Sequence, residues 1–155
     1  MLSDTNMPSD TNMPSDTIIV FDIDGVLSDS RHREHHLESS PKDWASFFAM
    51  LADDAPIKVG IDRLMQMLQL KPCVLLSGRP EHTRAATTSW LHAVGVPSVP
   101  LYLRPNRDYR AASLFKLDVL AGLGGPQGVG LVIDDDERVV ADLVAAGYQV
   151  EHFTD

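Results

Sequence analysis

The sequence predicts an α/β fold in which a parallel sheet of five strands is covered by helices on both faces. Two observations predict it. Short apolar runs recur along the chain and alternate with segments whose apolar residues fall at helical spacing. The runs at Ile18, Cys73, Leu101 and Val129 each stop at a polar junction: Asp22, Ser77, Arg104 and Asp134. In an alternating fold with right-handed crossovers, chemistry collects beyond the carboxyl ends of the strands.

The first run is Ile18-Ile19-Val20-Phe21, leading into Asp22-Ile23-Asp24-Gly25. Apolar residues on consecutive positions suit a strand buried on both faces. Val26 to Pro41 is polar and holds Arg31, His32, Arg33, His35 and His36. Trp44, Phe47, Phe48 and Leu51 then repeat at i, i+3, i+4, i+7, which predicts an amphipathic helix. Ile61, Leu64, Met65 and Leu68 predict a second helix on the same spacing. After Pro72, Cys73 to Leu76 reads as a strand ending at Ser77-Gly78-Arg79-Pro80. Pro80 suits the first turn of the next helix, whose apolar face is Ala86, Trp90, Leu91 and Val94. Gly95 closes that helix.

Leu101 to Leu103 is a short strand ending at Arg104. A helix over 111–123 follows, with Ala112, Phe115, Val119 and Leu120 on one face, and Gly124-Gly125-Pro126 breaks it. Val129 to Ile133 is a strand ending at Asp134-Asp135-Asp136. Val140, Leu143 and Val144 mark the last helix, Gly147 ends it, and Tyr148 to Glu151 completes the sheet.

With 155 residues, the chain can form one domain with a real core, expected over 18–155. Ahead of it, residues 3–17 repeat Ser-Asp-Thr-Asn-Met-Pro, a polar pattern that predicts a disordered tail over 1–17. The net charge of -9 opposes a broad nucleic-acid or membrane-binding surface and leaves room for a local basic pocket. Cys73 is the only cysteine, so no intrachain disulfide forms, which suits a reducing compartment. No run is long enough for a membrane span, and no basic-then-apolar leader opens the chain. These features predict a soluble cytoplasmic protein.

Asp22 and Asp24 are candidate metal ligands and candidate groups to attack or protonate a substrate. A strand that is buried cannot end on two carboxylates unless something stabilises their charge. Asp and Gly also make ordinary solvated turns, so these residues alone leave both readings open. Asp134 follows a buried strand directly and is the next candidate ligand, while Asp136 is better placed to cap the last helix. Hard carboxylate oxygens point to Mg²⁺. Ser77 and Gly78 open toward a helix and can cradle a phosphate, although Ser is also a common helix cap. Helical position alone favours a surface lysine at Lys116. Trp44, Phe47 and Phe48 could stack a base, but their helical spacing assigns them to the core. The histidines of the polar segment could bind zinc, yet no cysteine lies near; a mobile flap facing the substrate fits better.

The ordered set Asp22-Ile23-Asp24-Gly25, Ser77-Gly78-Arg79, Lys116 and Asp134-Asp135 resembles the four motifs of the haloacid dehalogenase superfamily of phosphotransferases. Arg31 to His36, Asp43-Trp44 with Phe47-Phe48, Asp53 to Ile57, and Asp108-Tyr109-Arg110 extend the likeness. They are similar to the 3'-phosphatase domain of bacteriophage polynucleotide kinase and its stand-alone relatives. No Gly-x-x-x-x-Gly-Lys-Ser/Thr loop accompanies them, so the likeness covers the phosphatase half alone.

The resemblance implies a Rossmann-like sheet with a small flap and no large cap. It implies Asp22 as the nucleophile that takes up the phosphoryl group, and Asp24 as the acid and then the base. Mg²⁺ would sit between Asp22, the Asp24 carbonyl and Asp134, with Asp135 binding or orienting a metal-bound water. Ser77 and Lys116 would hold the phosphate oxygens. Gly78, Arg79 and Arg110 become candidate substrate-binding residues, since a guanidinium matches a phosphate with two bonds. The expected activity is a Mg²⁺-dependent phosphomonoesterase acting on 3'-phosphates of nucleic-acid ends or nucleotides. A phosphatase of a small metabolite or free 5'-nucleotide is the alternative that the acidic charge favours. A non-catalytic binding module is a further alternative, against which the intact Asp22 and Asp24 argue.

Overall fold

A computed structural model describes residues 16–155. The tail expected over 1–17 therefore lies outside the described residues except for its last two. Asp16 is exposed, whereas Thr17 is buried against the Lys71 ammonium.

Among the described residues, seven strands form: β1 (Ile18–Phe21), β2 (Ser28–Asp29), β3 (Ala55–Pro56), β4 (Cys73–Pro80), β5 (Leu101–Arg104), β6 (Val129–Asp134) and β7 (Val150–His152). The main sheet has the order β5-β4-β1-β6-β7, with every neighbour parallel. This is the five-stranded parallel architecture that the sequence predicts, with β1 at its centre. The helices are α1 (Trp44–Ala49), α2 (Lys58–Leu68), α3 (Arg84–Ala93), α4 (Ala112–Gly122), α5 (Gly125–Gly128) and α6 (Glu137–Ala145).

Side chains alternate across the sheet and so build two cores. Ile19, Phe21, Leu75, Leu131 and Ile133 pack with Leu64 and Met67 of α2 and Trp90 and Leu91 of α3. Val20, Val74, Leu76 and Val132 pack on the other face with Phe115 and Leu120 of α4 and Val139 and Leu143 of α6. Asp136 caps α6, its Oδ1 accepting from the Arg138 and Val139 N–H groups.

Three local expectations are corrected. Pro80 ends β4 in an extended conformation, and a single 3₁₀ turn, Glu81–Thr83, precedes α3. In α2 the buried face runs through Gly60, Leu64 and Met67, which leaves Met65 exposed. Both faces satisfy helical spacing; the close approach at Gly60 selects between them. The last strand starts at Val150, because Tyr148 turns into the second core ahead of it.

β2 and β3 pair antiparallel, Ser28 with Pro56 and Asp29 with Ala55, and bracket the polar insertion between them. That insertion holds a 3₁₀ segment, Arg31–Leu37, then α1 and a second 3₁₀ turn, Leu51–Asp53. It is the expected flap.

Gly60 fixes how closely α2 approaches the loop after β1. A Cβ there would overlap the backbone carbonyl of Val26, and backbone cannot swing aside. Gly60→Ala is expected to cost about 1–3 kcal/mol through overpacking, read by denaturant unfolding. Gly122→Ala, where an added Cβ meets nothing within 4 Å, is the matched control and should not destabilise.

Candidate active site

The carboxyl ends of β1, β4 and β6 meet at one edge of the sheet. Asp22 continues β1 by donating its N–H to the Ile133 carbonyl at 2.9 Å, so the backbone is held by the ladder while the side chain leaves the strand. Its Oδ1 accepts from the Ile23 N–H at 2.9 Å. Lys116, a residue of α4, is buried, contrary to the surface position that helical spacing favours. Its Nζ lies 3.2 Å from Asp22 Oδ1 and 2.6 Å from Asp134 Oδ2. Asp134 is buried at the end of β6, where its Oδ1 accepts from the Asp136 N–H. Gly25 follows the motif with φ of 83°. A side chain there would run into the Asp135 carboxylate, so a residue without one lets Asp135 reach the site.

Asp22, Asp134 and Asp135 each offer an oxygen within 4.8 Å of the others. Burial pushes the Asp22 carboxyl well above the usual carboxylate range; Asp134, Asp135 and Asp24 push the same way, and Lys116 pulls it back. Burial also raises Asp135, against a stabilising hydrogen bond with Asp22. Burial opposes the Lys116 charge, but Asp22 and Asp134 outweigh it and hold the ammonium protonated. Three carboxylates thus face one ammonium. A divalent cation would supply the missing charge, and an all-oxygen donor set is what Mg²⁺ takes, so these residues fit that metal.

Asp24 sits differently. Its Oδ1 accepts from Arg33 Nη2 at 2.8 Å and from Arg79 Nη2 at 2.7 Å, and its Oδ2 accepts from Arg79 Nε at 3.2 Å. Its carboxylate is thus committed to two guanidiniums. Both arginine side chains are wholly buried. Asp54, also wholly buried, lies behind them: Arg33 reaches its Oδ1 and Oδ2 at 2.8 Å each, and Arg79 reaches Oδ2 at 3.3 Å. Ser28 and His32 contact the same carboxylate. Burial raises the Asp54 pKa, but the hydrogen bonds from Arg33, Ser28 and His32 more than reverse this and leave it below the usual value.

Of the residues singled out in the sequence, Asp22, Asp24, Gly78, Lys116 and Asp135 line one cleft, joined by Ser30. Asp134 lies beneath it, bonded to Lys116. Ser77 is buried, and its hydroxyl accepts from the Arg79 N–H. Arg79 is turned away from a direct substrate contact: no part of its side chain is exposed, and its donors go to Asp24, Asp54, Ser28 and Thr87. Arg110 is held outside the cleft by bidentate pairing with Asp108 and a 2.8 Å contact with Asp118. Of the flap histidines, His32 meets Asp54 and His36 meets the Met50 sulfur. Trp44, expected in the core, is 48% exposed; Phe47 alone of the three aromatics is buried.

Arg33 and Asp54 are the residues that sequence reasoning passed over as site groups. Arg33 stands in a run of basic residues with no apolar period to mark it as buried, and Asp54 is 21 positions further on. The usable signal was chemical: a basic cluster and a lone Asp-Asp pair bracketing the same insertion.

Residues 16–152 match the family described as the polynucleotide kinase PNKP phosphatase domain. A search of curated proteins found no match. Among solved structures, a chain of the Pnkp1/Rnl/Hen1 RNA repair complex superposes with a TM-score of 0.75 at 19% identity, over 97% of this chain and 45% of that one. A second structure of the Pnkp1/Rnl/Hen1 complex gives 0.72 at 20% identity, over 99% and 52%. The chain therefore spans about half the length of these two relatives. A hydrolase from Streptococcus pneumoniae gives 0.60 at 15% identity, over 92% and 95% of the two chains. At such identities the likeness to solved structures speaks to the fold. The family match covers nearly the whole chain, and on that ground the protein belongs to the polynucleotide kinase PNKP phosphatase-domain family and is a phosphatase of the haloacid dehalogenase type.

Proposed function

We propose that this phosphatase removes 3'-phosphates from nucleic-acid ends or nucleotides through a phosphorylated Asp22. The observation that carries the chemistry is the pairing of Asp22 with Lys116 in the cleft where Asp24 is held by two arginines. The substrate class is supported by the family match.

In the first step an Asp22 carboxylate oxygen attacks phosphorus. The bond from phosphorus to the leaving sugar oxygen breaks, and Asp24 delivers a proton to that oxygen. In the second step Asp24 takes a proton from water as the water oxygen attacks phosphorus; this frees Asp22 and inorganic phosphate. Lys116 neutralises charge on Asp22 and on the incoming phosphate. Asp22, Asp134 and Asp135, with the Asp24 carbonyl, would hold Mg²⁺, which supplies positive charge against the phosphate oxygens when bound. Arg33 and Arg79 aim the Asp24 carboxylate, and Asp54 holds those arginines in place. Ser77 and Gly78 shape the end of β4 beside the phosphate, while Arg110 braces the loop through Asp108.

A small-metabolite or 5'-nucleotide phosphatase is the second reading, favoured by the net charge of -9. Phosphate release from 3'- and 5'-phosphorylated dinucleotides and from sugar phosphates decides between them. Preference for the 3'-phosphate supports the proposal, and turnover confined to the other substrates rejects it. EDTA should abolish release, and added Mg²⁺ should restore it.

Asp22→Asn is expected to bring phosphate release down to background while circular dichroism stays native. Asp24→Asn should lower kcat by about 10²–10⁴-fold, the usual worth of a positioned acid and base. Wild-type-like turnover in Asp22→Asn would refute the covalent route.

Removing the Asp54 charge leaves two buried guanidiniums sharing the single carboxylate of Asp24. Asp54→Asn should therefore cost about 3–5 kcal/mol at pH 7 in denaturant unfolding. The Asp54 pKa is depressed by folding, so its contribution is present above the unfolded carboxylate value of about 3.9 and is lost as pH falls through the lower folded value. The gap between wild type and Asp54→Asn should narrow below about pH 4. A gap that stays constant down to pH 2 would contradict this assignment.

A further inference from the structure

The aromatic residues of α1 do not form a simple core face. Trp44 is 48% exposed, and its ring lies nearly parallel to that of Phe48, with centroids 5.7 Å and planes 21° apart. The two rings border a cleft of about 590 Å³ that also holds His82, Arg104 and the 87%-exposed Tyr109. His82 meets Phe48 edge to face, and the Lys42 ammonium lies over Trp44 at 5.7 Å from the ring centroid. This volume falls in the range of small-molecule sites. Gly78 borders both this cleft and the one that holds Asp22, Asp24 and Lys116, so the two adjoin there.

A protein with a net charge of -9 gains little from following a long phosphate backbone. Its grip on a strand end has to come from contacts that do not depend on phosphate. Aromatic faces provide them, because every base has a π-face and stacking tolerates any sequence. Asp108, the one carboxylate bordering the aromatic cleft, is already paired with Arg110, which limits repulsion of an anionic ligand.

We propose that the cleft between Trp44, Phe48 and Tyr109 takes the base of the nucleotide that carries the scissile phosphate. The inference rests on the 3'-end reading above and narrows it to a footprint of one base and its phosphate.

The test uses a 3'-phosphorylated thymidine dinucleotide and its counterpart whose terminal sugar lacks a base. Stacking on aromatic side chains changes affinity by roughly 5- to 150-fold per base. Wild type should show a base-bearing to abasic ratio of kcat/KM in that range, carried mainly by KM. In Trp44→Ala the ratio should fall toward one, and in Trp44→Phe most of it should remain. Tyr109→Ala, at a highly exposed position that tolerates truncation, should also reduce the ratio. A wild-type ratio near one, or equal ratios in wild type and both alanine variants, overturns the proposal.

Tryptophan emission provides a readout independent of turnover. The chain has two tryptophans, and Trp90 is buried, so quenching by a stacked base reports Trp44. The dinucleotide should quench Asp22→Asn protein, and the effect should disappear when Trp44→Phe is added. Turnover without quenching removes the stacking slot and leaves the 3'-phosphatase reading standing. Quenching by the dinucleotide, with no 3'-phosphate turned over by wild type, keeps the slot and removes that reading.

Discussion

The structure depends on one buried set of charges: Asp24 and Asp54 holding Arg33 and Arg79 between them. A guanidinium stripped of water needs paired carboxylates and filled hydrogen bonds. Here two cations meet two anions, and each comes from a different part of the chain. Asp24 follows the central strand, Arg79 is the penultimate residue of β4, and Arg33 and Asp54 lie at opposite ends of the flap. Trp90 of α3 adds a bond from its indole N–H to the Asp54 carbonyl at 2.8 Å. The flap is therefore fixed to the sheet by the same contacts that orient Asp24.

Beside this balanced set lies an unbalanced one. Asp22, Asp134 and Asp135 surround a single ammonium, Lys116, and burial adds to the strain of their mutual repulsion. The first cluster is satisfied by the protein alone and can act as framework. The second has a charge deficit that a cation would relieve, which is a useful condition for a site that must accept an anion. Division of labour between two acidic groups only two residues apart follows from what each one faces.

The α/β architecture was legible because its signals are strong and local. Ile18 to Phe21 and Val129 to Ile133 can hardly be anything but buried strands, and the polar junctions after them sit where parallel sheets gather ligands. Other features depended on contacts that no local pattern encodes. Leu64 fits either face of α2, and the approach of Gly60 to Val26 decides which neighbours accompany it inward. Lys116 has the spacing of a surface residue and is buried because two carboxylates wait for it. Arg79 has the chemistry to bind phosphate, but Asp24 and Asp54 claim it first. Trp44 obeys helical periodicity on a helix of six residues, too short for the period to guarantee a buried face.

The paired ends of the flap have a consequence for how this protein can vary. Ser28 to Pro56 and Asp29 to Ala55 close the insertion into a loop whose exits lie side by side. Anything between those exits can lengthen without pulling on the sheet, and each doubling of a flexible loop adds only about 0.6 kcal/mol of closure cost. Arg33 and Asp54 lie near the two exits, whereas Trp44 and Phe48 lie further in. On the reading proposed above, the part that would meet a base can change while the contacts of Arg33 with Asp24 and Asp54 stay the same. The two tasks would then lie in separate stretches of one short insertion.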